Sequence, residues 1–192
     1  MKEQLEYFIR VSLKNPNDEE IKSILEAFQL KQFQKDDYFK RHDKLCKHLG
    51  FIVEGSFRHY AIKNNGDEIT GRISKKNDFV TDIISVKTKA RTPISIKATE
   101  PTSILVASIE DMDKLLETNL TLNRLLREYM ADNVVEMGKM RILFLTGTAK
   151  ERYRLILENN PDLLKNVPLR FIASMIGITP TQLSRIRNKK EK

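Results

Sequence analysis

The sequence predicts an α+β chain. It has helices at the start, a strand-rich middle, one long helix, and an all-α end built as a helix-turn-helix. Three observations carry this. Apolar residues recur at three and four over residues 3–30 and again beyond residue 110. Between about Lys31 and Ile109 that period gives way to short strand-like runs divided by turn signals. The stretch RFIASMIGITPTQLSRIRNKK (170–190) holds two short helical patterns around a single Gly177.

In chain order, Leu5, Phe8 and Ile9, then Ile21, Ile24, Leu25 and Phe28, mark the first helical stretch. Asn15-Pro16-Asn17-Asp18 breaks it and can cap its second half. Phe51–Gly55, Phe57–Ile62, Ile69–Ile73, Pro93–Lys97 and Ser103–Ala107 read as strands, and Asn64-Asn65-Gly66-Asp67 as a hairpin turn of the Asn-Gly type. Several short strands with turns between them suggest a sandwich or barrel. Glu110–Leu116 is a short helix.

A long helix is expected from about Thr121 to Leu145. Leu122, Leu126, Met130, Val134, Met137, Arg141 and Phe144 step along one stripe, which Leu125, Tyr129 and Ile142 widen. Some 25 residues span about 37 Å, more than a small barrel needs for cover. Such a stripe favours a partner helix, as in a parallel coiled-coil dimer, over a helix lying on its own barrel. Gly147 ends the helix. Thr148-Ala-Lys-Glu151 opens another with a capping box, and Asn159-Asn160-Pro161 closes it.

The final segment is written most clearly. Leu169, Ile172, Ala173 and Ile176 have helical spacing, and Gly177 suits a left-handed turn. Thr179 can cap a second helix, with Gln182 completing a capping box and Pro180 at the first helical position. Ile178 and Leu183 can form a hydrophobic staple. This helix is expected from Pro180 to about Lys189. Leu183 and Ile186 share its buried side, and Thr181, Ser184, Arg185 and Asn188 the opposite one. Arg can grip guanine through two bonds, and Asn can do the same for adenine. Thr179, Thr181, Gln182, Ser184, Arg185 and Asn188 are therefore the DNA-binding candidates that would read bases or position the helix end. Arg170, Arg187, Lys189 and Lys190 are the candidates for phosphates. The bland alternative is a surface helix pair with a solvated charged face. Charge weighs against it, because residues 167–192 hold six Lys and Arg against one Glu, a net +5 of the chain's +8.

Composition narrows the function classes. No run of 18 apolar residues exists, so nothing is expected to span a membrane. The charged N-terminal stretch is not a signal peptide, and a cytoplasmic location is expected. A single cysteine, Cys46, excludes an intrachain disulfide and a four-cysteine metal or iron–sulfur site. His42, Cys46, His48 and His59 match no trusted tetrahedral spacing, so neither a metal nor a cofactor is expected. A barrel enzyme would need a metal triad of histidines in its strands, which offer only His59, with His48 just before them. No phosphate-loop, nucleophile-elbow or zinc-protease motif is present, so no catalytic residue is assigned and no enzyme is expected.

The order of parts resembles the Crp/Fnr family of bacterial transcription regulators over nearly the whole chain. FIVEGSFRHYAIKNNGDEITGRI (51–73), KNDFVTD (76–82), IKATEPTSIL (96–105) and the helix-turn-helix around Gly177 carry the likeness. It implies a jelly-roll or β-roll sensor domain with flanking helices over 1–118. A dimerisation helix and hinge would follow over 119–146, and a DNA-binding domain over 147–192. It implies a homodimer on double-stranded DNA, paired through Leu122, Leu126, Tyr129, Met130, Val134, Met137 and Arg141, with an unknown small effector in the β-roll. The family's cyclic-nucleotide members grip ribose with a Gly-Glu pair and phosphate with an Arg-Ser/Thr-Ala stretch. Here Thr81 and Asp82 replace the pair. Arg91-Thr92-Pro93 resembles the phosphate stretch, but one residue too far from Ala98; if Ala98 fixes the register, Thr92 replaces the arginine. Asp82, Arg91 and Thr92 are the candidate effector residues, and cyclic AMP is not the expected ligand. At the start of the recognition helix Pro180 and Thr181 stand where the best-known members carry Arg and Glu, while Arg185 matches their later arginine. The Pro161–Pro168 connection leaves no room for the strands of winged members. The alternative is a ligand-binding β-roll whose C-terminal helices bind a protein.

Overall fold

A computed structural model describes residues 1–159 and 167–188. The expected end of the helix at Asn160-Pro161, most of the Pro161–Pro168 connection, and Lys189 and Lys190 lie outside these residues. The architecture is the predicted α+β arrangement, a two-sheet antiparallel roll flanked by helices, then a long helix and further helices.

Two helices open the chain, α1 (Lys2–Ser12) and α2 (Asp18–Ala27). Asn17 caps α2 by accepting from the Glu20 N–H at 3.0 Å, as its position before an acidic first turn predicts. The roll follows with β1 (Gln29–Phe33), β2 (Tyr38–Lys40), β3 (His48–Glu54), β4 (Ser56–Ile62), β5 (Glu68–Lys75) and β6 (Phe79–Val80). After α3 (Ile83–Thr88) come β7 (Ser95–Ala98) and β8 (Thr102–Ser108). One sheet runs β1-β8-β3-β6, the other β2-β7-β4-β5. The β4–β5 turn lies at the expected Asn65-Gly66, but only Gly66 has positive φ, +88°. A two-residue type I′ turn would need both residues there, so the loop is wider, closed by the Gly66 N–H on the Lys63 carbonyl.

Strand β3 shows why the roll coheres. Leu49, Phe51 and Val53 face one way, into a cluster with Leu5, Ile9, Ile21, Ile24 and Phe28 of α1 and α2. Ile52 faces the other way, into the space between the sheets with Phe57, Val80, Ile96 and Ile104. With both faces covered, the strand reads as a continuous apolar run, and each such side chain contributes roughly 1.5–3 kcal/mol by burial.

Helix α4 (Ile109–Thr118) leads into α5 (Leu120–Thr146), then α6 (Ala149–Asn159), α7 (Leu169–Met175) and α8 (Pro180–Asn188). The stripe along α5 divides, contrary to the expectation of one seam. Leu122 and Leu125 are buried in the roll's own helical cluster, and Leu126 and Tyr129 pack against it. The Tyr129 hydroxyl takes the Phe79 N–H at 3.0 Å and an Arg72 N–H at 3.1 Å, tying α5 to β6 and β5. Leu122, fully covered by its own chain, has no surface left for a partner helix. Farther along, Met130, Val134 and Met137 are exposed, the last two by 68% and 69%, and Arg141 is exposed with them.

Candidate nucleic-acid interface

Helices α7 and α8 are joined by a tight turn at Gly177, whose φ of +73° is the left-handed conformation that favours glycine. A side chain there would also crowd Phe144 of α5, whose ring edge lies 3.1 Å from where a Cβ would stand. The capping box forms as its letters predict: Thr179 Oγ1 accepts from the Gln182 N–H at 3.2 Å, and Gln182 Oε1 from the Thr179 N–H at 2.9 Å. The box at Thr148 and Glu151 forms likewise at the start of α6.

Leu183 is fully buried and Ile186 packs beside it, in a cluster with Tyr153, Ile156, Val167, Ile172, Ala173 and Ile176. That leaves Thr181, Gln182, Ser184, Arg185, Arg187 and Asn188 exposed on α8. The outward face thus carries hydroxyls, two carboxamides and guanidinium groups, all able to donate hydrogen bonds to an anion or a base edge. Thr179 and Gln182 have part of this capacity committed to the cap. Arg170 is exposed on α7, its guanidinium 4.7 Å from the Phe171 ring centroid. It also lies in the field of Asp36 on the roll. Lys97, bonded at 2.8 Å, is the main cause of that carboxyl's depressed pKa, and Arg170 adds to it.

The α7–α8 pair is held at two places. At the end of α5, Arg152 donates to the Ile176 carbonyl at 2.9 Å and the Gly147 carbonyl at 3.0 Å, with its guanidinium 4.9 Å from the Phe144 ring. At the roll, Ser174 Oγ accepts the Thr70 N–H of β5 at 2.9 Å, and Arg58 of β4 stacks 4.0 Å over the Phe171 ring. None of these roll contacts is legible in sequence, because each joins residues about a hundred positions apart.

The candidate effector residues do not come together as expected. Asp82 and Thr92 are buried, but Arg91 is exposed. The cation that meets Asp82 is Lys40 of β2. Its ammonium donates to Asp82 Oδ2 at 2.8 Å, to Thr92 Oγ1 at 2.7 Å and to the Ile94 carbonyl at 2.8 Å. Thr92 also donates to Asp82 in a short contact, and Asp82 Oδ1 accepts the Ser85 N–H, capping α3. Burial alone would raise the Asp82 carboxyl, but the bonds from Lys40, Thr92 and Ser85 outweigh it and hold its pKa below the usual value. The acid and the hydroxyl thus already have partners within the chain. Lys40 escapes a sequence reading because it sits in a polar run that looks like surface. His42, Cys46, His48 and His59 do not converge; among the described residues no three His, Cys, Asp or Glu are placed to hold a metal.

The fold and this region define a chain with an antiparallel β-roll, a long helix and a terminal pair of helices. Residues 30–119 match the family model of the cyclic nucleotide-binding domain. No curated protein matches the sequence. Solved structures share the fold. FixK2 from Bradyrhizobium japonicum aligns with a TM-score of 0.72 at 17% identity, covering 84% of this chain and 83% of that one. The c-di-GMP-responsive global regulator CLP of Xanthomonas campestris gives 0.67 at 14% identity, with 90% and 91% covered. A regulator described as of the Crp/Fnr family, from Eubacterium rectale, gives 0.66 at 16% identity, with 90% and 82% covered. At these identities the likeness is one of fold. Among the described residues no helix is long and apolar enough to cross a membrane.

Proposed function

We propose that this chain is a sequence-specific DNA-binding transcription regulator of the Crp/Fnr type, acting as a homodimer on an inverted-repeat operator. The observation that carries the reading is the outward face of α8. Thr181, Ser184, Arg185 and Asn188 are exposed together while Leu183 and Ile186 anchor the opposite side. In this reading α7 and α8 are a helix-turn-helix, and α8 enters the major groove. Arg170, Arg187, Lys189 and Lys190 contact phosphates. The exposed part of the α5 stripe, Met130, Val134, Met137 and Arg141, pairs two copies, with residues 1–118 as sensor and 147–192 as reading head. Two-fold symmetry then places half-sites about one helical turn apart, ~34 Å, or a multiple of it. The β-roll responds to a small effector other than a cyclic nucleotide, because Lys40 already satisfies the carboxylate and hydroxyl of the cassette.

Selection of bound sequences from a random duplex pool tests this. Enrichment of an inverted repeat is expected. Arg185→Ala should then cost about 1–3 kcal/mol and relax preference at one base pair in each half-site. Equal loss on selected and random duplexes would rule out base reading by Arg185. Absence of any salt-dependent shift on DNA would favour the alternative, C-terminal helices that bind a protein.

A further inference from the structure

Residues of the stretch 38–48, from β2 to the start of β3, line a surface cleft of about 290 Å³. Its apolar part is Phe39, fixed by ring contacts with Phe33 and Phe57 in the core of the roll, and Leu45, 43% exposed. Its polar part is cationic. Arg41, Lys44 and Lys47 are exposed around it. One carboxylate answers them, Asp43, 3.5 Å from the Lys44 ammonium. Among the described residues the Arg41 and Lys47 side chains meet no acceptor. Arg41 is held all the same. Its guanidinium lies 4.1 Å from the centroid of the Tyr38 ring, whose hydroxyl is bonded to that of Tyr60 at 3.2 Å. Stacking uses the flat face of the guanidinium and leaves its N–H edge for an acceptor.

Like charges around a concave surface repel one another and focus their field into the cleft. The crowding registers on His48, whose pKa is held below the ordinary value by burial first, then by Lys31 of β1 and by Lys47. A solvated lysine face would need neither an apolar wall nor a pinned arginine. An anion in the cleft would meet an arginine fork and two ammonium groups, a donor set that suits phosphate, with Leu45 and Phe39 beside it for a short apolar group. The volume is at the small end of ligand clefts, which run from roughly 300 to 1,000 Å³, so it fits a free small molecule better than a protein segment.

The cleft is also wired to the interior of the roll. The Cys46 N–H donates to Ser85 Oγ at 3.0 Å, and the Asp82 N–H to Cys46 Sγ at 3.4 Å. Thr81 Oγ1 donates to the His48 carbonyl at 3.0 Å. Lys40, next to Arg41 in the chain, carries the bonds to Asp82 and Thr92. A shift of the 41–48 strip therefore reaches the start of α3. We propose that this cleft is the effector site of the roll and takes a small phosphate monoester with a short apolar substituent. Its effector role rests on the regulatory reading above; binding itself does not.

The test uses full-length protein with hexyl phosphate, inorganic phosphate and hexanol as probes in titration calorimetry. Hexyl phosphate should bind more tightly than inorganic phosphate, and hexanol should not bind. Arg41→Gln and Lys47→Gln, both at exposed positions, should each weaken both phosphates about tenfold, the size of one charge-assisted hydrogen bond. Leu45→Ser should weaken hexyl phosphate and leave inorganic phosphate unchanged. Proton NMR of His48 should show its pKa rising on saturation, because the bound anion offsets Lys31 and Lys47. No binding of hexyl phosphate, or binding that the Arg41 and Lys47 variants keep in full, overturns the site. A His48 titration that the probe does not move overturns it too. Operator affinity is then measured with and without saturating hexyl phosphate. A change of about fivefold or more is expected in the wild type and not in the Arg41→Gln/Lys47→Gln double variant. Binding at the cleft with operator affinity unchanged overturns the effector role. Wild-type protein that selects no operator overturns the regulatory reading and the effector role with it, while the calorimetry still decides the site.

Discussion

Replacing Lys40 by methionine keeps the length of the side chain and removes its charge and three donors. The Lys40 side chain is 2% exposed and that of Asp82 1%, so water cannot take over what the ammonium does. Lys40→Met leaves the Asp82 carboxylate buried with only the Ser85 N–H and the Thr92 hydroxyl. Removing one partner of a buried ion pair costs roughly 3–5 kcal/mol, most of it from the charge left behind. With a urea dependence of about 2 kcal/mol per molar, the unfolding midpoint should fall by about 1.5–2.5 M at pH 7. Circular dichroism at a fixed protein concentration follows it. The double variant Lys40→Met/Asp82→Asn removes the stranded charge while keeping an acceptor for the α3 cap, and should recover most of the loss. Acid gives a second reading. In the wild type the depressed Asp82 pKa contributes stability above the ordinary value of 3.8, lost as pH falls through the folded value. In Lys40→Met burial dominates and raises that pKa, so the penalty is largest at neutral pH and shrinks as the carboxyl protonates. The two proteins should converge in acid. A loss below about 1 kcal/mol, or a double variant no better than the single, would refute a buried pair whose two charges depend on each other.

Two further outcomes are expected. Val134→Glu/Met137→Glu places carboxylates on exposed positions of α5, so folding should be unaffected, but the proposed pairing of two copies should weaken by roughly 100-fold or more in sedimentation, because an apolar seam would not solvate them; an unchanged sedimentation profile would exclude this stripe as the pairing surface. His59, bonded to Ser74 at 3.0 Å, has its pKa lowered to about 3 by burial and by nearby Arg72, so it is neutral when folded and takes up a proton when unfolded. Stability should therefore rise with pH between about 3 and 6.5, with a slope from this group approaching ~1.4 kcal/mol per pH unit. His59→Gln should flatten that region, and an unaltered slope in urea titrations would assign the effect elsewhere.

Local chemistry was legible and distant pairing was not. The two capping boxes, the left-handed Gly177 and the inward-facing pair Leu183 and Ile186 follow from residues within a few positions of one another, and they form as their spacing requires. Strand β1 did not announce itself, because Gln29-Leu30-Lys31-Gln32 is an exposed outer strand without apolar alternation, and β6 is too short to show a period. In α5 the same apolar letters serve two environments. Leu122 packs on the roll and Met137 faces outward, and only the position of α1 and α2 divides them. Asp82 shows the same limit. The lysine that answers it lies 42 residues earlier, on β2, and only the tertiary fold brings the two together.

Covering the β5 edge also bears on how the chain survives in solution. An open strand edge is a template for other chains, and sheets that leave one bare tend to grow by adding strands from their neighbours. Here the cover over that edge is the α7–α8 pair, through Ser174 on Thr70 and the cluster around Ile73. A fragment cut after α5, keeping the roll but not α6 to α8, would bare the edge at Thr70 and Ile73, and should be prone to self-association that the whole chain resists.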